Sequence, residues 1–335
     1  MDHQTLEIHS ILEKFAPLKL GLNPTPIHRL QRLEEALGLE QVYIKRDDLN
    51  GLGPGGNKVR NLEFLLADAI RSGCDHIIAS GKSQSNLCTL AAAACNKVDL
   101  KCTLVHNDLE PEHKVGNQLL NKLMGANQRF IGEVSVDERN HFVDELFKTL
   151  KRNGDHPYII FNGGTSPIGA LGYVAGVLEI AAQIENQNLP ISDIFVPGGN
   201  GGLATGVVFG AACMDTPLKI QVISVENSKS ELTGIMESLF DELVELTEYQ
   251  PKHKFDEVCE IYGEFRGEGW GIPLREADEM IETLAQLEGI FLEKVYTAKG
   301  FNGMVELLKR NQGLALRGSC YLHSGGFSSL FSQYL

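Results

Sequence analysis

The sequence lacks the features that mark secreted, membrane-spanning and nucleic-acid-binding proteins. Its seven cysteines form an odd number without a Cys-x-x-Cys pair, which favours reduced thiols over a disulfide framework. We expect no stretch to reach the roughly 20 apolar residues of a membrane span, and the charged N-terminal segment lacks the apolar core of a secretory signal. A formal net charge of -14 argues against a surface for nucleic acid or anionic lipid. We therefore expect a cytoplasmic protein that binds neither.

The 335 residues, 43% of them hydrophobic, are enough to form two domains. From about residue 60, helix-like segments alternate with the strand-like runs HIIASG, KCTLVHN, YIIFNGG, DIFVPGG, KIQVISVE and SCYLHSGG. Such alternation predicts parallel βαβ units. The sequence therefore predicts an α/β protein with two open, twisted parallel sheets and a boundary near 163–173. Alternation is weaker in 236–268, which we predict to be a helix followed by a surface excursion.

Polar or glycine residues stand at four places where parallel α/β sheets bind ligands, beyond the strand ends and at helix starts. These are Asn57–Lys58, the segments 80–87 and 323–326, and the loop 197–202.

Lys58 follows two glycines and Asn57 at the predicted start of a helix. An ammonium group is disfavoured near a helix N-terminus, so we expect the pKa of Lys58 to be lowered. A lysine with a lowered pKa is suited to Schiff-base chemistry. The alternative is that Lys58 is an ordinary solvated lysine.

The other three segments each have a functional and a structural interpretation. Closely spaced glycines in 197–202 would let backbone N–H groups approach a phosphate, although a plain turn explains them too. Ser83 or Ser85 could cap a helix or, with Asn86, hold a carboxylate or a ring hydroxyl. Ser324 could cap the last helix or offer a neutral hydroxyl to a ligand. The histidine spacing does not support a metal site. A Schiff-base lysine, a phosphate loop and a neutral hydroxyl together describe pyridoxal phosphate.

The order of GGNK, QSN, the glycine-rich loop, VYT and HSGG resembles one family of pyridoxal-phosphate enzymes. These are the 1-aminocyclopropane-1-carboxylate deaminases and D-cysteine desulfhydrases, which have the tryptophan synthase β-subunit fold, PLP fold type II. The resemblance covers residues 23–331. It implies a small amino-acid substrate, a homodimer, a large domain of residues 1–57 and 169–335, and a small domain of residues 58–168.

The resemblance also implies roles for individual residues. Lys58 matches the lysine that binds the cofactor and moves the Cα proton, and Ser85 and Tyr296 match substrate-side catalytic residues. The residues matching cofactor contacts, besides Lys58, are Asn57, Asn86, Gly199, Asn200, Gly201, Gly202, Leu203 and Ser324. The residues matching the substrate pocket are Ser85, Leu87, Trp270 and Thr297.

Two positions separate the branches of the family. The deaminases carry Glu and Leu where this sequence has Thr297 and Ser324. A hydroxyl at the pyridine nitrogen gives a weaker electron sink than a carboxylate, sufficient for expelling sulfide but poor for opening a cyclopropane ring. The sequence therefore looks desulfhydrase-like, which implies conversion of D-cysteine to pyruvate, ammonia and hydrogen sulfide.

Three departures from the family pattern leave alternatives open. Leu87 replaces the histidine of QSNH, Trp270 replaces a tyrosine, and Leu203 replaces the threonine of the phosphate loop. The alternatives are a 1-aminocyclopropane-1-carboxylate deaminase, elimination from another β-substituted amino acid such as cysteate or chloroalanine, and a non-catalytic protein that keeps the fold.

Overall fold

A computed structural model describes residues 3–334, and this range contains ten strands, fourteen α-helices and two 3₁₀ helices. The strands are β1 (Ile27–Arg29), β2 (Val42–Arg46), β3 (His76–Gly81), β4 (Lys101–His106), β5 (Asn127–Phe130), β6 (Pro157–Ile160), β7 (Asp193–Gly198), β8 (Lys219–Ser224), β9 (Cys259–Tyr262) and β10 (Ser319–His323). The helices are α1 (His3–Lys14), α2 (Gln31–Leu37), α3 (Lys58–Arg71), α4 (Asn86–Lys97), α5 (Asn117–Leu123), α6 (Val136–Arg152), α7 (Pro167–Gln187), α8 (Gly202–Ala212), α9 (Lys229–Thr247), α10 (Phe255–Val258), α11 (Arg275–Glu288), α12 (Thr297–Arg310), α13 (Gln312–Ala315) and α14 (Phe327–Gln333).

The strands form two sheets, which confirms the predicted α/β fold. One sheet has the order β1-β2-β10-β7-β8-β9 and the other β5-β4-β3-β6. Every neighbouring pair is parallel except β1 and β2, which are antiparallel. The four-stranded sheet uses only strands within 76–160, and the other sheet uses strands from both sides of that range. The exact domain limits at 57/58 and 168/169 stay a prediction.

The predicted surface excursion in 236–268 is wrong in part. Residues 259–262 form β9, which extends the six-stranded sheet in parallel with β8. Ile261 is buried in the core of this sheet. Only Ile261 of the run CEIY is fully buried, so β9 carries little apolar pattern in the sequence.

Helix α7 corrects the expectation that no apolar segment is long enough to span a membrane, because it is long and apolar enough to do so. In this fold it packs between α3 and α8. A Cβ on Gly172 of α7 would lie 2.2 Å from the Arg60 carbonyl oxygen, and one on Gly206 of α8 would lie 2.3 Å from the Ala170 carbonyl oxygen. The apolar composition of α7 is therefore explained by close helix packing.

Buried ion pairs fix the start of α3, where Lys58 lies. Arg60 donates to Asp47 through Nε at 2.7 Å and Nη2 at 2.9 Å, and Nη2 also contacts Glu179 of α7 at 2.9 Å. Burial favours the neutral acid, but the Arg60 charge and its hydrogen bonds hold the pKa of Asp47 down to about 2. Charged pairs of this kind fix geometry because breaking one leaves an unpaired buried charge.

Candidate active site

A cavity of about 430 Å³ lies beyond the carboxyl ends of β3, β4, β7, β8 and β10. Its wall contains nearly all of the predicted site residues. They are Asn57, Lys58, Ser85, Asn86, Leu87, Gly199, Asn200, Gly201, Gly202, Leu203, Trp270, Tyr296 and Ser324. The structure thus brings together segments that are far apart in the sequence, at the edge where parallel sheets bind ligands. The chemical roles of these residues stay predictions.

Thr297 is the exception, since it lies behind the cavity wall rather than in it. It is 1% exposed, and its hydroxyl accepts a hydrogen bond from the Glu293 N–H at 2.7 Å. Glu293 lines the cavity in its place. The turn before α12 wraps around the Glu293 carboxylate, which accepts from the N–H groups of Val295 and Tyr296 and from that of Thr297. Ser324 is therefore the predicted hydroxyl that faces the cavity.

Lys58 is the first residue of α3, as predicted. Its Nζ makes no hydrogen bond or ion pair with the residues that the structure describes. Burial lowers the pKa of Lys58 to about 8, and attraction to Glu226 opposes the fall. The backbone holds this position through the Asn57 N–H, which donates to the Ser324 carbonyl oxygen at 2.8 Å. The lysine therefore presents a free amine that is partly neutral near physiological pH.

The loop 199–202 leads into the N-terminus of α8, where the first N–H groups have no partner within the helix. A side chain would make a tight contact at two positions of the loop. A Cβ on Gly199 would lie 3.0 Å from Tyr296 Cε1, and one on Gly202 would lie 3.0 Å from Thr165 Oγ1. Unpaired N–H groups at the start of a helix form an anion site. Thr165 brings a hydroxyl to this loop, where Leu203 has none, and the sequence interpretation missed it.

The start of α4 supplies a second group of donors. Ser85 caps the helix, its hydroxyl accepting from the Cys88 N–H at 3.3 Å, and it also lines the cavity. Asn117 of α5 donates through Nδ2 to Asn86 Oδ1 at 2.8 Å and to the Gln84 carbonyl oxygen at 2.8 Å. The amide of Asn86 is therefore oriented with its Nδ2 available to a ligand. Asn117 was also missed, because no motif includes it.

Trp270 lies at the rim of the cavity and is 45% exposed. Its indole Nε1 donates to the Tyr296 hydroxyl oxygen at 2.6 Å. Burial raises the pKa of Tyr296. Tyr296 thus stays protonated, and with one lone pair engaged by Trp270, its O–H proton is available to a ligand.

These groups fit pyridoxal phosphate. The cofactor needs an amine for its aldehyde, N–H donors for its phosphate, and partners for its ring nitrogen and ring hydroxyl. Lys58 would provide the amine, and the start of α8 would hold the phosphate. The Ser324 hydroxyl would face the ring nitrogen, and Asn86 Nδ2 would donate to the ring hydroxyl.

Comparison with known proteins agrees with this fit. The family model described as "Pyridoxal-phosphate dependent enzyme" matches residues 18–325. A putative 1-aminocyclopropane-1-carboxylate deaminase of Pyrococcus abyssi is 34% identical over 330 residues, covering 97% of this chain and 96% of the relative. A D-cysteine desulfhydrase of Klebsiella pneumoniae is 33% identical over 328 residues, covering 96% and 98%. The crystal structure of an ACC deaminase homologue superposes with a TM-score of 0.89 at 34% identity, covering 100% of this chain and 98% of the other. The chain therefore belongs to the pyridoxal-phosphate-dependent 1-aminocyclopropane-1-carboxylate deaminase and D-cysteine desulfhydrase family, with its tryptophan synthase β-like fold and its cofactor.

Proposed function

We propose that this protein is a lyase that eliminates a β-substituent from a small amino acid, with D-cysteine as the first candidate substrate. The products from D-cysteine would be pyruvate, ammonia and hydrogen sulfide. The observation that carries the proposal is the free amine of Lys58, whose pKa is lowered to about 8, in the same cavity wall as Ser85 and Tyr296. A base with a pKa near the working pH transfers protons in both directions efficiently. This argues against a non-catalytic protein.

Each of these side chains has a role in such a reaction. When bound, pyridoxal phosphate supplies the electron sink that stabilises negative charge at the substrate Cα. The N–H groups at the start of α4, with the Ser85 hydroxyl, would bind the substrate carboxylate. Lys58 Nζ would accept the Cα proton. Tyr296 would donate its O–H proton to the departing substituent, while Trp270 holds the phenol oxygen in place.

The surroundings of Ser324 support elimination over opening of a cyclopropane ring. Glu293 brings a carboxylate to the cavity wall, but its two oxygens accept from three backbone N–H groups and from Gln333 Nε2. This carboxylate is therefore fully engaged. The neutral hydroxyl of Ser324 remains for the ring nitrogen, which gives the weaker sink that suits a good leaving group.

The test is to add D-cysteine to the purified holoenzyme while following its visible absorption, sulfide and pyruvate. We expect the cofactor band to change and both products to appear in equal amounts. The Lys58→Ala variant should lose at least 1000-fold in kcat because it lacks the base, whereas the exposed Lys122→Ala variant should keep its activity. Retention of kcat within tenfold in Lys58→Ala would refute the mechanism. Failure of the wild type on D-cysteine and on β-chloroalanine, an undemanding elimination substrate, would refute the proposed function.

A further inference from the structure

Arg139 of α6 lines the cavity, and it has no place in the reaction described above. Its side chain is 3% exposed. Within residues 3–334, Nη1 is the one side-chain nitrogen of Arg139 with a partner, and it donates to Asn107 Oδ1 at 3.0 Å. Nε and Nη2 are buried without a hydrogen-bond partner among the described residues. Burying a guanidinium with unsatisfied donors raises the free energy of the protein. A ligand that accepts hydrogen bonds from Nε and Nη2 would therefore stabilise it.

The two unpaired nitrogens form the edge of the guanidinium that can donate two parallel hydrogen bonds to one carboxylate. We call this pair of donors, Nε and Nη2, the fork. Other arginines in this protein use that same edge. Arg46 donates to Asp48 through Nε at 2.9 Å and Nη2 at 2.6 Å, and Arg60 holds Asp47 in the same way. Arg139 presents the same fork, and no carboxylate of the described residues fills it.

No acidic side chain in the described part of the chain forms an ion pair with Arg139. Asp108 follows Asn107 in the chain, but its Oδ2 accepts from the Ser83 N–H at 2.7 Å, and it makes no ion pair with Arg139. Burial lowers the pKa of Arg139. The positive charge is therefore not neutralised by the protein.

Arg139 lies on the Ser85 side of the cavity. Its partner Asn107 directly follows β4, whose last residue, His106, pairs with Gly81 of β3. A Cβ built on Gly81 would lie 2.7 Å from Ser85 Oγ. Strand pairing thus places the guanidinium close to the start of α4, where the proposed substrate carboxylate binds.

We propose that the Arg139 fork binds a second anionic group, carried on the side chain of the substrate, so that the preferred substrates are β-substituted alanines bearing an oxyanion such as a sulfonate. This inference rests on the proposed β-elimination and changes the preferred substituent from a thiol to an oxyanion. The α-carboxylate of the substrate would still bind at the start of α4, and Arg139 would bind the oxyanion of the side chain. A fork built for two oxygens rejects substrates that leave it unpaired.

Elimination from cysteate balances in atoms and electrons. Lys58 takes the Cα proton, the Cβ–S bond breaks, and the sulfur leaves with the bonding electron pair as sulfite. One water hydrolyses the remaining enamine to pyruvate and ammonia, so neither an oxidant nor a reductant is needed.

The test compares both enantiomers of cysteate with β-chloroalanine, whose side chain is uncharged. The enzymes are the holoenzymes of the wild type and of the Arg139→Gln, Arg139→Lys and Arg152→Gln variants. Arg152 is exposed on the same helix and serves as the matched control. We expect Arg139→Gln to lower kcat/KM for cysteate by about 100-fold and for β-chloroalanine by less than threefold. Arg139→Lys should recover only part of the loss, because an ammonium lacks the fork.

A binding measurement decides the inference without turnover. We expect calorimetry to show that the wild type binds 3-sulfopropanoate at least tenfold more tightly than propanoate, and that Arg139→Gln loses this preference. Equal binding of the two acids by the wild type would overturn the inference. So would an equal loss of kcat/KM for both substrates in Arg139→Gln, since Arg139 would then serve the α-carboxylate or the fold. Turnover of β-chloroalanine without a preference for sulfonate would refute the inference and leave the proposed elimination standing.

Discussion

Replacing Glu226 by Gln tests what sets the neutral fraction of the Lys58 amine. Burial lowers the pKa of Lys58 from 10.5 to about 8, and Glu226 opposes the fall. Glu226 lines the cavity, and its buried Oε2 has no hydrogen-bond partner among the described residues. Without the carboxylate, burial acts unopposed. We expect the pKa of Lys58 to fall by about one further unit, which corresponds to about 1.4 kcal/mol.

The assay follows the rate at which the cofactor-free protein captures pyridoxal phosphate as a function of pH. Capture through Lys58 needs the neutral amine, so the rate rises with pH through the pKa of that group. The wild-type midpoint should lie near pH 8. A fall of one unit in Glu226→Gln should speed capture at pH 7 about fivefold, because a larger fraction of Lys58 is then neutral.

The control for this experiment is Glu237→Gln, a change of the same chemistry at an exposed position on α9. Its midpoint should match that of the wild type. A midpoint in Glu226→Gln that stays in place or moves to higher pH would show that Glu226 does not stabilise the Lys58 ammonium. An equal shift in Glu237→Gln would show that the effect belongs to the net charge of the protein.

Three further perturbations follow from the same contacts. Asn117→Leu frees the amide of Asn86, and we expect pyridoxal phosphate to bind about tenfold more weakly, measured by equilibrium titration. Thr165→Val should weaken phosphate binding by a similar factor if its hydroxyl contacts the anion, and unchanged affinity for inorganic phosphate in the cofactor-free protein would contradict that role. Asp47→Asn should lower the free energy of unfolding by about 3 kcal/mol. Because the pKa of Asp47 falls from 3.8 to about 2 on folding, Asp47 should contribute about 2 kcal/mol of the stability that the wild type loses between pH 4 and 2. Acid-denaturation curves of Asp47→Asn should lack that contribution.

Strong local patterns predicted most of the fold. The runs that form β3, β4, β7, β8 and β10 are apolar and end in polar or glycine residues. Both the strands and the edge of the sheet where ligands bind could therefore be inferred. β9 was missed because the run CEIY carries little apolar pattern, and β1 has only three residues. β1 pairs with β2, the next strand, across α2, and local periodicity does not encode the antiparallel direction of that pairing.

The candidate site likewise contains residues that motifs predict and residues that only the folded structure reveals. Lys58, Ser85 and the loop 199–202 could be predicted because each belongs to a motif whose chemistry is local. Thr297 was misplaced because its side chain turns toward Glu293, a contact set by the geometry of the turn before α12. Arg139 reaches the cavity from α6, Asn117 of α5 contacts Asn86 of the cavity wall, and neither belongs to a motif. Only the folded structure shows their hydrogen bonds.

The charges of the cavity give a further argument for an acidic substrate. A bound cofactor and an ordinary amino acid bring two anionic groups, a phosphate and an α-carboxylate, and the starts of α8 and α4 each offer donors for one of them. Lys82 also lines the cavity, but its Nζ is engaged by Glu133 Oε2 at 3.1 Å and by the Asn107 carbonyl oxygen at 2.8 Å. With both expected anions assigned and Lys82 paired, Arg139 is left with a buried, unfilled fork. Because such a fork costs free energy until an oxyanion fills it, a substrate with a third anionic group would gain binding energy here that D-cysteine does not.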